Sequence, residues 1–165
     1  MQDDELAAYV AQRWPRLVRT AVLLGCDPAE AEDVVQSALE RCFRHRDRVL
    51  RADDRDAYVH RVVVTTFTSS RRRRWTGERP TAILPERATD DATADVDTAD
   101  AVLRSLDRLS HDQRAAVVLR YYAHLTEEQM ATALGVARGT VKSRLSRALA
   151  ALAADPDLAE LRETR

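Results

Sequence analysis

The 165-residue sequence is long enough for one ordinary domain or two small ones, and its 45% apolar content favours a packed core over global disorder. Its 26 basic and 27 acidic residues leave a formal charge of -1, which as an average excludes a charged-tail protein and argues against an obvious nucleic-acid binder. No apolar run approaches the roughly 20 residues of a membrane span, and the acidic start (Asp3, Asp4, Glu5) is no signal peptide, so the expected location is cytoplasmic.

The average conceals blocks. Residues 1–40 carry a net charge of -5, residues 41–79 carry +7, residues 80–112 carry -5 and residues 113–165 carry +2. Charge is segregated along the chain. Cys26 and Cys42 show neither CxxC nor metal-ligand spacing and read as small core residues in a reducing compartment.

In chain order, the first predicted helix starts after Asp3 or Asp4 and carries Leu6, Val10, Trp14, Leu17, Val18 and Ala21 on one face, with Pro15 expected to kink or restart it. A second helix starts where Asp27 caps, Pro28 takes the first helical position and Glu30 completes an acidic first turn. Its apolar stripe is Ala31, Val34, Val35, Ala38, Leu39, Cys42 and Phe43. The opposite face is Glu32, Asp33, Gln36, Ser37 and Glu40. Arg44 to Asp56 reads as a charged loop. The following segment, DAYVHRVVVTTFTSSRRRRW, has the β-branched content of a strand but no second strand to pair with, and Tyr58, Val62 and Thr66 share a helical face. It is predicted helical.

Residues 76–97 lose periodicity and are predicted to be a linker. Helices then resume: one opens at Asp97 or Thr98 with Val102, Leu103, Leu106 and Leu109. Another opens with Ser110 and Gln113 at capping-box spacing and carries Val117, Val118, Leu119 and Tyr122. Thr126 and Gln129 repeat the box, and Leu125 with Met130 has staple spacing. The expectation is an all-α chain of two small helical domains, residues 1–75 and 98–154, joined by a flexible linker at 76–97 and followed by a tail at 155–165.

Two features point to function. In TEEQMATALGVARGTVKSRLSRALAAL, small Ala131, turn residue Gly135 and inward-returning Val141 give a helix-turn-helix layout, with Leu145, Leu149 and Leu152 expected along the buried face. Thr140, Ser143, Ser146 and Arg147 face away, with Lys142 and Arg144 on the flanks. Short polar and cationic groups in that position reach base edges and phosphates. The second feature is Arg71 to Arg74 followed by Trp75. Four adjacent guanidinium groups span all sides of a helical turn, which suits phosphate neutralisation better than base reading.

The segments AEDVVQSALERCFRH, DAYVHRVVVTTFTSSRRRR and LSHDQRAAVVLRYYAHLTEEQMATALGVARGTVKSRLSRAL together resemble the sigma-70 family of bacterial RNA polymerase sigma factors, in its extracytoplasmic-function (ECF) group. The resemblance covers nearly the whole chain in order and spacing, with GTVKSRLSRA its most specific part. It implies a sigma-2 helical bundle and a sigma-4 helix-turn-helix domain. It also implies a polymerase-binding surface at Glu32, Asp33, Gln36 and Glu40, against the β′ clamp coiled coil. Minus-10 DNA contacts are implied at Arg61, Thr65, Thr68, Ser69, Arg71, Arg72, Arg73 and Arg74, and minus-35 contacts at Arg120, Arg138, Thr140, Lys142, Ser143, Ser146 and Arg147. Core RNA polymerase (with its β flap) and promoter DNA are the implied partners; an anti-sigma factor is a further candidate that no motif identifies. No enzyme activity, metal or cofactor is expected. Two departures stand out: Thr65 where Asn is common, and Ala137 where a capping Ser is common. The alternative is a stand-alone helix-turn-helix regulator, which the tetra-arginine run and the polar AEDVVQ face oppose. The histidines (His45, His60, His111, His124) are scattered, and Glu127 and Glu128 are accounted for by a helix first turn.

Overall fold

The first helix, α1 (Gln2–Leu24), runs uninterrupted through Pro15. Leu6 lies before the proline and Leu17 and Ala21 after it, all buried, so packing on both sides of the missing N–H keeps the helix whole. The computed structural model describes residues 2–77 and 94–163, and every regular element among them is helical. None of these helices is long and apolar enough to cross a membrane.

The second helix, α2 (Pro28–Arg44), starts as its sequence dictates: the Asp27 carboxylate accepts from the Glu30 N–H at 2.9 Å, with Pro28 at the first position. Its predicted stripe is buried from Ala31 to Cys42, with Phe43 half-buried at the end. Burial pushes the Cys42 thiol up to about 11, as expected of a core residue.

The predicted charged loop is corrected. It contains a short helix, α3 (Arg46–Leu50), which drives Val49 into the core at 0% exposure. One buried valine in a strongly charged segment carries too little periodicity to announce a helix. The ambiguous segment is helix α4 (Arg55–Gly77). The hydroxyls of Thr65, Thr66 and Thr68 donate to the carbonyls of Arg61, Val62 and Val64 at 2.9, 2.7 and 2.9 Å. These bonds occupy polar groups that would otherwise compete with helix. Val59, Val63, Val64 and Phe67 are buried, while Tyr58 and Val62 sit half-buried at the margin. Helices α1, α2 and α4 pack on one another, with α3 tucked against all three.

Helix α5 (Ala94–Asp107) begins a few residues earlier than predicted, and α4 extends to Gly77. Most of the predicted linker therefore lies outside the described residues. Helix α6 (His111–Val117) opens with the Ser110–Gln113 capping box and passes into a π-helical turn (Val118–Tyr122) rather than continuing as α-helix. Helices α7 (Glu127–Leu134) and α8 (Arg138–Ala153) follow. The segment expected to be a tail is a helix, α9 (Pro156–Glu163), packed on α5 and α8. Pro156 is suited to the first turn of a helix, where its missing N–H needs no partner. Buried Asp155 organises that start by accepting from Asp157 N–H at 3.0 Å and from Arg108 at 2.8 Å.

The two helical groups are in contact. Helix α4 packs against α7, and α1 against α6 and the π turn, so one hydrophobic core runs from Leu6 to Ala148.

Candidate polymerase and nucleic-acid interfaces

The helix-turn-helix is built locally. Thr126 and Gln129 exchange the two capping-box hydrogen bonds at the start of α7, with Leu125 and Met130 buried beneath them. Gly135 ends α7 in the left-handed region at φ 66°, a conformation that favours glycine. Ala137 caps α8 with no side-chain hydrogen bond, so the recognition helix starts without the usual hydroxyl.

The buried face of α8 is Val141, Leu145 and Ala148, with Leu152 half-buried. Leu149, expected on this face, is 42% exposed. At about 100° per residue it stands roughly 80° from Val141, whereas positions 148 and 152 return to within roughly 20°. The outer face presents Lys142, Ser143, Ser146 and Arg147 to solvent, and Thr140 is half-buried. Arg144, expected on the flank, is half-buried and pairs with Asp112 of α6 at 2.9 Å. The Ser143 hydroxyl donates to the Thr140 carbonyl at 3.0 Å, which leaves its oxygen free to accept.

Two recognition-helix cations are already partnered. Glu127 Oε2, in the first turn of α7, lies 3.2 Å from Arg138 Nε and 3.8 Å from Lys142 Nζ. Arg120 is exposed on the π turn and donates to the Leu125 carbonyl at 3.1 Å. Its neighbour Tyr121 is 56% exposed.

On α4, Arg61 and Thr68 are exposed, and Thr65 and Ser69 half-buried. The tetra-arginine run divides. Arg72 and Arg73 are exposed, and the Arg74 and Trp75 side chains lie outside the described residues. Arg71 folds back: it donates to the Gly25 carbonyl at 3.0 Å, lies 2.9 Å from His111 Nε2 and covers the Phe67 ring at 5.0 Å. Gly25 has φ +117°, and a Cβ there would meet Arg71 Nη2 at 3.2 Å.

A cavity of about 560 Å³ opens where α2, α3 and α4 meet. Arg41, Arg44, His45, Arg48, Tyr58 and Arg61 line it, with Val62 and Thr65. Sequence reasoning missed the first four. Their spacing was the available signal: 41, 44, 45 and 48 follow i, i+3, i+4, i+7 along one helical face that continues from α2 into α3.

On α2, Glu32, Asp33, Gln36, Ser37 and Glu40 all face solvent opposite the buried stripe. A polar cluster fixes α4 against α1. The Tyr9 hydroxyl and Arg13 Nε both donate to Asp56 Oδ1, the latter at 3.0 Å. Burial opposes ionisation of Asp56, yet these two donors outweigh it and hold the carboxyl below its ordinary range. Burial and the Asp56 carboxylate together push the Tyr9 phenol up.

Two family profiles match this chain in order: Sigma-70 region 2 over residues 10–76 and Sigma-70, region 4 over residues 99–152. The chain belongs to the sigma-70 family. It is 41% identical to the RNA polymerase sigma-E factor of Streptomyces avermitilis over 150 residues, covering 90% of this chain and 83% of that one. Identity to the sigma-E factor of Streptomyces coelicolor is 40%, covering 90% and 84%. Within the family it falls in the ECF group, being 36% identical to the ECF RNA polymerase sigma factor SigL of Mycobacterium tuberculosis, with 82% and 80% covered. Among solved structures, the sigma factor RpoE from Bartonella quintana, in complex with the anti-sigma factor NepR, superposes with a TM-score of 0.71 at 26% identity over 92% of this chain and 95% of that one. CnrH in complex with the cytosolic domain of CnrY shares the fold, with a TM-score of 0.63 at 21% identity over 92% and 87%.

Proposed function

We propose that this ECF sigma factor binds core RNA polymerase and directs promoter-specific initiation, reading a minus-10 element with its first helical group and a minus-35 element with its second. The observation that carries the reading is the pair of family regions, each coinciding with a separate polar or cationic face. Residues 1–75 form the polymerase-docking and minus-10 domain, and residues 98–154 the minus-35 domain.

The exposed Glu32, Asp33, Gln36 and Glu40 face of α2 docks on the β′ clamp coiled coil. Lys142, Ser143, Ser146 and Arg147 enter the minus-35 major groove, with Thr140 and Arg138 at its edge and Arg120 on phosphate. Arg61, Thr65, Thr68 and Ser69 meet the minus-10 strand, and Arg71 to Arg74 its backbone. The cavity beside Arg61 suits an unstacked base: Tyr58 supplies an aromatic surface and the arginines hold the adjoining phosphates. Strand opening then follows from differential binding, because the cavity and its cations favour the unpaired base over the stacked one. The chain performs no catalytic step of its own and works in the cytoplasm, where the polymerase is. The structural relatives RpoE and CnrH were each solved with a partner, RpoE with an anti-sigma factor; an anti-sigma protein is a fitting regulator here too.

Run-off transcription with core polymerase on genomic promoters, beginning with the gene's own upstream region, tests the reading. Promoter-specific transcripts that depend on this chain are expected. Tight specific duplex binding without core, combined with no transcription in its presence, identifies a stand-alone regulator instead.

A further inference from the structure

We propose that the cavity where α2, α3 and α4 meet is also a binding site for a free nucleoside triphosphate, occupied when no DNA is present. The cavity has two unlike walls. Arg41, Arg44, His45 and Arg48 form the first, at i, i+3, i+4 and i+7 along the end of α2 and into α3. Tyr58, Arg61, Val62 and Thr65 repeat that spacing along α4 and form the second. The first wall is basic. The second is mainly an aromatic ring and aliphatic carbon, with one further guanidinium.

Four guanidinium groups and no carboxylate line the cavity. Elsewhere the fold neutralises its arginines: Arg13, Arg55, Arg108, Arg114 and Arg144 each pair with a carboxylate at 3.0 Å or closer. Among the described residues, no carboxylate pairs with Arg44, Arg48 or Arg61. Arg41 donates only to the Thr66 hydroxyl, at 3.4 Å. Like charges gathered from three helices repel one another, so an anion that enters the cavity relieves the arrangement.

The walls specify the anion. A bare phosphate uses the basic wall and leaves the Tyr58 wall unused, whereas a nucleotide uses both. Its phosphates accept paired bonds from guanidinium groups, and its base lies on the Tyr58 ring beside Val62. The charge also matches: a triphosphate carries about -4 near neutrality, roughly -2 of it on the terminal phosphate, against four guanidinium charges. A volume of about 560 Å³ is ordinary for a small-molecule site.

The same cavity receives the unpaired minus-10 base, and the consequence for initiation rests on that reading. Nucleotide and promoter strand then exclude one another. A strand also reaches cations farther along α4 than one nucleotide does, so a presented minus-10 strand displaces the nucleotide. Rising triphosphate, the polymerase's own substrate, thereby raises the affinity that a strand needs to enter.

Isothermal titration of the full chain, in magnesium-free buffer at low salt, compares ATP, AMP and inorganic tripolyphosphate. One ATP per chain is expected. AMP, with about two charges fewer, is expected to bind at least ~tenfold more weakly, and tripolyphosphate, without a base, at least ~fivefold more weakly. The variant R44A/R48A removes two exposed guanidinium groups from the basic wall and is expected to weaken ATP binding at least ~tenfold, with the melting temperature unchanged. The charge-matched R19A/R51A, at exposed arginines outside the cavity, is expected to bind ATP as the wild type does. No ATP binding, equal affinity for tripolyphosphate, or equal loss in the two double variants overturns the proposal. Should R44A/R48A unfold, R48A alone carries the comparison. A labelled single-stranded oligothymidylate separates the two uses of the cavity. Its displacement by ATP supports both. Strand binding without ATP binding removes the nucleotide site and leaves the minus-10 reading intact. ATP binding that the strand does not affect keeps the nucleotide site and takes the cavity off the minus-10 path.

Discussion

Glu127 Oε2 sits 3.2 Å from Arg138 Nε, so the first helix of the helix-turn-helix holds the leading cation of the second. Lys142 shares the same carboxylate. Both cations are more than 60% exposed, so the pairs are weak, at about 0–1 kcal/mol each. Their effect is on DNA, because phosphate must displace Glu127 to use them. Glu127→Gln is expected to tighten minus-35 duplex binding by up to about fivefold at low salt and to steepen the salt dependence by up to ~2 in slope. Fluorescence anisotropy across a salt series measures both; unchanged affinity and slope place these cations off the DNA.

Arg147 is exposed on the outer face of α8, and no packing depends on it. Arg147→Ala is expected to weaken minus-35 recognition by about 1–3 kcal/mol, a loss of about fivefold to 150-fold, while leaving core affinity unchanged. Comparing promoters with intact and scrambled minus-35 elements checks this. Equal loss on both promoters assigns Arg147 to the phosphate backbone rather than to base reading.

Asp33 and Gln36 lie on the polar face of α2, away from the buried Val34 and Val35. The double replacement by Ala is expected to reduce affinity for core polymerase severalfold with thermal stability within ~0.5 kcal/mol of the wild type. Titration of labelled protein with core, alongside a melting curve, gives both quantities. Unaltered core affinity moves the docking surface elsewhere.

Stability should fall on acidification in two windows. Burial disfavours the His60 imidazolium and lowers its pKa below 6.5; Nδ1 lies 2.7 Å from the Asp56 carbonyl and Nε2 faces Thr20. The unfolded chain binds a proton that the folded chain resists, so this contribution is complete above the unfolded pKa and is lost as pH falls below it. His111, lowered by burial and by Arg71 and Arg114, acts in the same direction. Asp56, held below its ordinary value, contributes above that value and loses its contribution as pH falls through the folded pKa. Urea midpoints should therefore drop between about pH 7 and 5 and again below about pH 4. His60→Gln should flatten part of the first step, with His111 supplying the remainder. A midpoint that rises on acidification contradicts this assignment.

Local chemistry was legible in the residues. Asp27 with Pro28, Ser110 with Gln113, and Thr126 with Gln129 each announce a helix start, because a cap needs only a few neighbours along the chain. The stripe from Ala31 to Cys42 and the turn at Gly135 follow the same logic. The -1 total misled because it averages a cationic α3–α4 block against the acidic α2 face. The π turn, α3 and α9 were less visible, since each depends on one or two anchoring residues, such as Val49 or Asp155, whose burial only the assembled fold supplies.

By itself the sequence determined the longer helices, three of their caps, the helix-turn-helix and the family pattern, all of which are encoded over one to a few turns. Tertiary structure alone decided which cations face solvent. Arg71, Arg114 and Arg144 read from sequence like any other arginine, yet they serve the α1 carbonyls, His111 and Asp112. It also decided that α7 lies against α4 and that Arg41, Arg44, His45 and Arg48, from α2, α3 and the residue between them, meet Tyr58 around one cavity. Such pairings join residues tens of positions apart, and no local periodicity records which distant carbonyl or ring an arginine will reach.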